Sequence, residues 1–436
     1  MNYKSLPGIE IPVSTSYCSK VKKSMQKREN DITIQKWIKI SFINLLIVAL
    51  LGVIMRYKIA YSLPFIEQKN FLHAHSHFAF TGWITQALIT LMIAYLAKHS
   101  AENIFKKYKW LLLANLIAAY GMLFSFPWEG YGIVSITFST LSIFVSYAFA
   151  FIFWKDLNKI REKSVSSYWF KAALVFNVIS SFGAFFLSYM MANKIQHPNW
   201  FLASTYYFLH FQYNGWFFFA CMGLLSVQLK FNIALSLQKN IFWLFALACI
   251  PAYFLSALWL PIPAWVYIVV VLAAAAQLIG WILMVKTIVY NKPAVFQNLP
   301  GKTKWLFILP AIALSIKLLL QLGSTIPFLS RLAFGFRPVV IGYLHLMFLG
   351  AISLFIIGYC NMNKFIITGK AGNTGILIFV SGIILNEIFL MIQGLSYMNY
   401  ITVPYINELL LGAAIFMFGG ILLLNLGVKK NKLHDG

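Results

Sequence analysis

Three histidines fall within five residues in "FLHAHSHFAFTGW", at His73, His75 and His77, in a chain that holds only eight. Two more stand in apolar stretches, His210 in "YYFLHFQYNGWFFF" and His345 in "GYLHLMFLG". Neutral imidazole binds iron, copper and zinc alike, and an ionisable group inside a membrane is costly enough to mark a functional site. A lone histidine there also serves as a hydrogen-bonding link between helices. On a helix His73 and His77 share a face and His75 points away. One face would then supply a metal or haem ligand and the other a hydrogen bond or a proton-handling group. Lys317 in "ALSIKLLLQLG" and Glu387 in "ILNEIFLMIQG" are the other isolated charges within apolar runs. An ion pair between them would offset part of the cost of burying either. Arg331 and Arg337, in "LSRLAFGFRPVVIGYLH", precede His345, and arginine is the natural partner of a carboxylate. His99, His197 and His434 are expected in loops or in the tail.

The elements that must position these residues are set by composition. The 436 residues are 60% hydrophobic and 17% aromatic, with a mean hydropathy of +0.76. Charged residues make up 11%, less than half the roughly 25% of a soluble protein. This is the composition of an all-α integral membrane protein. A span needs about 20 apolar residues, and twelve stretches qualify: 37–55, 78–97, 109–126, 131–154, 169–191, 203–227, 240–259, 264–286, 304–322, 338–360, 374–394 and 405–428.

The formal net charge of +24 is distributed to one side. Lysines and arginines crowd the amino-terminal stretch and the even-numbered loops, and the odd-numbered loops hold Arg56, Lys58, Lys69, Lys194, Arg331 and Arg337. By the positive-inside rule both termini are cytoplasmic, and the lipid bilayer is the partner this basic balance implies, with no nucleic acid required. Residues 1–35 are expected as a basic cytoplasmic tail without the apolar core of a signal peptide, 36–428 as the transmembrane domain and 429–436 as a second short tail. A bacterial inner membrane is the expected location. The four cysteines, Cys18, Cys221, Cys249 and Cys360, are scattered without a CxxC, so neither a disulfide framework nor a thiolate metal site is indicated.

In this topology spans 2, 6 and 10 run from outside to inside, and each carries its histidine near its start. At about 1.5 Å per residue, His345 lies about 12 Å below Arg337, and His210 at a comparable depth. The histidines are therefore expected to converge in the outer half of the bilayer, with Lys317 and Glu387 at the same level.

Twelve spans with histidines near the outer ends of helices 2, 6 and 10 resemble the catalytic subunit I of the haem–copper oxidase and nitric oxide reductase superfamily. The resemblance implies a subunit I-like bundle in which helices 2 and 10 hold a haem axially. His77, the deepest of its group, is then the favoured ligand among His73, His75 and His77, with His345 as its partner. Arg337 would neutralise a propionate. His210 stands where the family has a copper ligand on helix 6, so His210, His77 and His345 are the residues from which a metal site would be drawn. The chain departs from the family in its seventh stretch, "FWLFALACIPAYFLSALWLP", which has no histidine, and in its tenth, which has one instead of two. The binuclear centre therefore lacks its ligands. What the resemblance implies is a redox role, or one tied to nitric oxide or oxygen, without proton pumping, and with electron-donor or other subunits as partners. "HAHSH" and "FGFRP" are also similar to the NnrS family of haem- and copper-containing membrane proteins, a branch of the same idea.

Two other functions fit the span plan. A secondary transporter would have a polar cluster near the midplane and an internal repeat. Comparison of 37–227 with 240–428 gives no self-similarity. A metal-trafficking protein would use "HAHSH" as an entry site for copper or zinc. Walker, GxGxxG, HExxH and serine-triad patterns are absent from the sequence.

Overall fold

The computed structural model describes residues 15–100, 103–161, 164–229, 234–330 and 336–429. They are nearly all helical. Helices follow from the composition, because in a lipid core every backbone N–H and C=O must be satisfied within its own segment. In chain order the helices are α1 (Thr15–Ala60), α2 (Gln68–His99), α3 (Ile104–Glu129), α4 (Ile133–Asn158), α5 (Val165–Ala192), α6 (198–229) and α7 (Leu235–Cys249). They continue with α8 (Ala264–Asn291), α9 (Gly301–Gly323), α10 (Arg337–Met362), α11 (Lys370–Met398) and α12 (Ile406–Gly427).

Among the described residues ten of these helices are long and apolar enough to cross a membrane. The two outside that set are α6 and α7. Polar His210, Gln212 and Asn214 dilute the apolar character of α6, and α7 stops at Cys249, where the chain tightens into a 3₁₀ turn over Pro251–Ser256. Proline cannot continue the α-helical hydrogen-bond ladder. The 240–259 stretch is thus half α-helix and half tight turn. At the other end, α1 already begins at Thr15, so residues 15–35, expected as a tail outside the bundle, are continuous with the first helix. No glycine or proline interrupts 15–51, and its Lys, Met, Gln, Arg and Glu are good helix formers. Residues 1–14 and 430–436 of the expected tails lie outside the described residues, as does Arg331.

Three helices form the centre. In the most apolar window of α2, 89% of residues are buried by the protein itself, against 17% for the peripheral α4, and residues 210–226 of α6 are buried throughout. The central helices α2, α6 and α10 meet directly. Trp83 Nε1 of α2 donates to Ser353 Oγ of α10 at 2.9 Å, and Trp216 Nε1 of α6 donates to Thr85 Oγ1 of α2 at 3.3 Å. Phe80, Tyr213 and Phe348, one from each helix, pack together, with ring centroids 4.8 Å apart for Phe80–Phe348 and 5.6 Å, edge to face, for Tyr213–Phe348. The other helices pack around this trio in chain order, and α12 closes the ring against α1. Near the chain end, Ile367–Thr368 pairs antiparallel with Val428–Lys429. Along the α11–α12 contact a Cβ on Gly375 would lie 2.5 Å from Leu424 N, so the two backbones touch as small-residue membrane interfaces do.

Each central helix widens into a π-helical turn just after its histidine: Ala79–Thr85, Phe211–Phe217 and Leu346–Ser353. Such turns free backbone carbonyls and often sit beside functional sites. Asn44 of α1 uses one of them, its Nδ2 donating to Gly82 O at 2.6 Å while Tyr120 donates to its Oδ1. The three central helices therefore share a local pattern. In each, a histidine is followed five residues later by a glycine: His77 and Gly82, His210 and Gly215, His345 and Gly350.

Candidate functional site

α2 begins at Gln68, so the three clustered histidines are fully helical and project to two sides. His75 faces α1. Its Nδ1–H donates to Val48 O at 3.1 Å, and Gly52, one turn on, lies flush against the ring: a Cβ there would sit 3.7 Å from His75 Cε1. His345 of α10 is fixed in the same way, with Nδ1–H donating to Ile341 O at 2.8 Å. A carbonyl only accepts, so both rings carry their proton on Nδ1 and present Nε2 as a bare lone pair. No partner for either Nε2 occurs among the described residues. His75 and His345 lie close enough to interact electrostatically with each other and with Arg56 at the end of α1. Both keep partial exposure in spite of their depth.

Arg56 in turn lies within electrostatic reach of Arg337 at the start of α10 and of Glu387 on α11. Asn386 Nδ2 donates to Glu387 Oε1 at 3.2 Å. Gly342, three residues before His345, faces α11, where a Cβ would approach Leu390 Cβ at 3.6 Å and Glu387 Oε2 at 3.9 Å. Two free imidazole nitrogens, two bare glycine positions and two guanidinium groups thus gather among α1, α2, α10 and α11. Arg56, Gly52 and Gly342 were not among the sequence candidates. The signal available was an arginine one turn beyond a glycine at the end of an apolar run, which charge counting had placed in a loop.

His73 and His77 lie on the other face of α2, towards α3. His77 stacks on Phe126 with centroids 4.5 Å apart, and its Nε2 is 3.2 Å from Tyr131 Oη. Of the three, the histidine turned towards His345 is His75, because helical phase carries His77 about 200° around the α2 axis from it at ~100° per residue.

His210 sits apart from both groups. Its Nε2–H donates to Cys249 O at 2.8 Å, and its Nδ1 accepts from Asn214 Nδ2 at 3.1 Å. Both nitrogens are used within the protein. The Cys249 carbonyl needs this donor, because the 3₁₀ turn directs the Tyr253 N–H to Ile250 O instead. His77, His210 and His345 do not meet, and among the described residues no group of three or more His, Cys, Asp or Glu is placed to hold a metal ion.

The expected Lys317–Glu387 ion pair is absent. α9 packs against α8 and α10, and α11 against α10 and α12, so the two charges approach α10 from opposite sides. Lys317 is 3% exposed. Its amine donates to Gln321 Oε1, and Gln321 Nε2 donates to Gln277 Oε1 at 2.6 Å. It lies within electrostatic reach of His210 and Cys249. Cys221, Cys249 and Cys360 are buried free thiols.

In comparisons with known proteins, no family model matches the chain and no curated protein matches it.

Proposed function

We propose that the chain is a divergent haem–copper oxidase subunit I-like membrane protein with twelve spans and both termini cytoplasmic, which binds a haem between α2 and α10. The observation that carries the reading is the pair His75 and His345, each with Nδ1 tied to a backbone carbonyl and Nε2 left free. An outer-shell hydrogen bond of this kind orients a metal-ligating imidazole and raises its basicity. Gly52 lets α1 approach the His75 ring, and Gly342 lets α10 approach α11 beside Glu387. Arg56 and Arg337 suit the two propionates of such a group, and Glu387 stands beside Arg56. A haem held by two imidazoles supplies one-electron transfer, tuned by its axial ligands and burial.

The residues around His210 support no binuclear copper centre: α7 has no histidine, and His210 is committed to Cys249 and Asn214. The role that fits is electron transfer, or a response to a gas such as nitric oxide or oxygen, without proton pumping. The topology rests on the one-sided lysines and arginines.

The test is the visible spectrum of detergent-purified protein from haem-supplemented cells, oxidised and dithionite-reduced. A sharp reduced α-band is expected in the wild type and in His77→Ala, and its loss in His75→Ala and His345→Ala. A colourless wild-type protein after full haem loading would sink the reading.

A further inference from the structure

The face of α2 that carries His73 and His77 is not used by the haem reading, yet it is built with care. The two imidazoles stand one helical turn apart over a floor made by Phe126. His73 approaches the Tyr131 ring edge-on, with centroids 4.5 Å apart. His73 Nε2 is buried and bonded to nothing among the described residues, as is Gln68 Oε1 on the first turn of the same helix. Tyr131 is delivered onto this face by a braced turn between α3 and α4. There Glu129 Oε1 accepts from Ser135 N at 2.6 Å, and Ser135 Oγ donates to Gly130 O at 2.6 Å. Gly130 adopts φ +61°, and a Cβ there would lie 2.7 Å from Asn70 Oδ1. Only glycine lets the turn come so close to α2. Tyr131 itself is 38% exposed, so the site opens outward from the bundle.

We propose that His73, His77 and Tyr131 form a binding site for one divalent transition-metal ion of the copper or zinc class. Histidines four apart on a helix are spaced to hold one ion through two imidazoles, and imidazole suits both metals. His77 Nε2 and Tyr131 Oη are already within hydrogen-bonding distance, and the buried Nε2 of His73 lacks a partner that a cation would supply. Where the phenol ligates, its proton passes to water. Water completes the coordination from the exposed side. The third protein donor is a phenol oxygen, so the site is not one of the His, Cys, Asp and Glu groups considered above. It stands on the opposite face of α2 from His75 and does not depend on the haem reading.

The full-length protein, purified through a histidine-free tag and treated with a chelator, is titrated with Cu(II) and separately with Zn(II). Bound metal per chain is measured by elemental analysis, and the Cu(II) form by electron paramagnetic resonance. One tightly bound equivalent with splitting from two nitrogens is expected in the wild type and in His75→Asn. Affinity falls at least tenfold in the His73→Asn/His77→Gln double variant and severalfold in Tyr131→Phe. A wild type that binds no metal, or a double variant that binds as much as the wild type, overturns the proposal. Should the double variant fail to fold, the wild-type Cu(II) spectrum decides, because splitting from fewer than two nitrogens is incompatible with the site. The reduced α-band in the same preparations reports on the haem separately.

Discussion

Whether a buried histidine is free to bind a metal depends on how many of its nitrogens the protein has already used. His75 and His345 spend one each on a carbonyl, and His210 spends both. His210→Ala is therefore expected to behave as a structural variant. It leaves Cys249 O without a donor and Asn214 Nδ2 without its acceptor, costing about 1–3 kcal/mol, read as a lowered thermal midpoint with the haem band unchanged. His210→Gln, which keeps a donor, should recover part of the loss. Equal loss of haem in His210→Ala would show that the residue reaches the cofactor after all. The sequence carried the right residue types at this scale and the opposition of His75 to His73 and His77, because that follows from helical phase alone. It did not carry which face of α2 meets α10. That is fixed by tertiary contacts such as Trp83 with Ser353, 270 positions away. Nor did it foretell that Lys317 and Glu387, alike in depth, would be separated by α10, since depth gives one coordinate and leaves the angle around the bundle open.

At the scale of elements, the π-helical turns of α2, α6 and α10 carry the rings that meet at the centre, Phe80, Tyr213 and Phe348. The turns also need small residues where neighbours press in. A Cβ on Gly215 would lie 2.6 Å from Phe176 Cβ, an atom near the backbone that cannot swing aside. Gly215→Ala should cost about 1–3 kcal/mol from overpacking, measured as a lower midpoint in detergent. Gly412 on α12 has nothing within 4 Å of a built Cβ, so Gly412→Ala should be neutral or gain about 0.5–1 kcal/mol from reduced chain entropy. Equal effects at the two sites would mean that the α5–α6 contact yields to an added methyl group. The apolar runs made most helices legible. The π-helical turns were not, because their hydrophobic pattern differs from that of an α-helix by a single residue. The end of α7 was signalled by Pro251 but obscured by the apolar residues that follow it.

The whole molecule places three seams around its axis, one between each pair of central helices, and they are chemically unlike. Between α2 and α6 the seam is filled with aromatic packing, including Phe80 against Phe208 and Phe217, and closed by the Trp216–Thr85 bond. Between α6 and α10 lie Tyr213 and Tyr343, with ring centroids 6.4 Å apart, near the saturated His210 and the buried Lys317. Among the described residues, the seam between α2 and α10 alone offers two imidazoles with free nitrogens, one from each side. The seams differ in how many imidazole nitrogens they leave free, so the proposed haem reading predicts a single site. The expected stoichiometry is one haem per chain, counted as the pyridine haemochrome against amino-acid analysis of the same sample. Two haems per chain would require a second axial ligand in the α6–α10 seam. Tyr343, which stands two residues before His345 and faces Tyr213, would then be the group to substitute first.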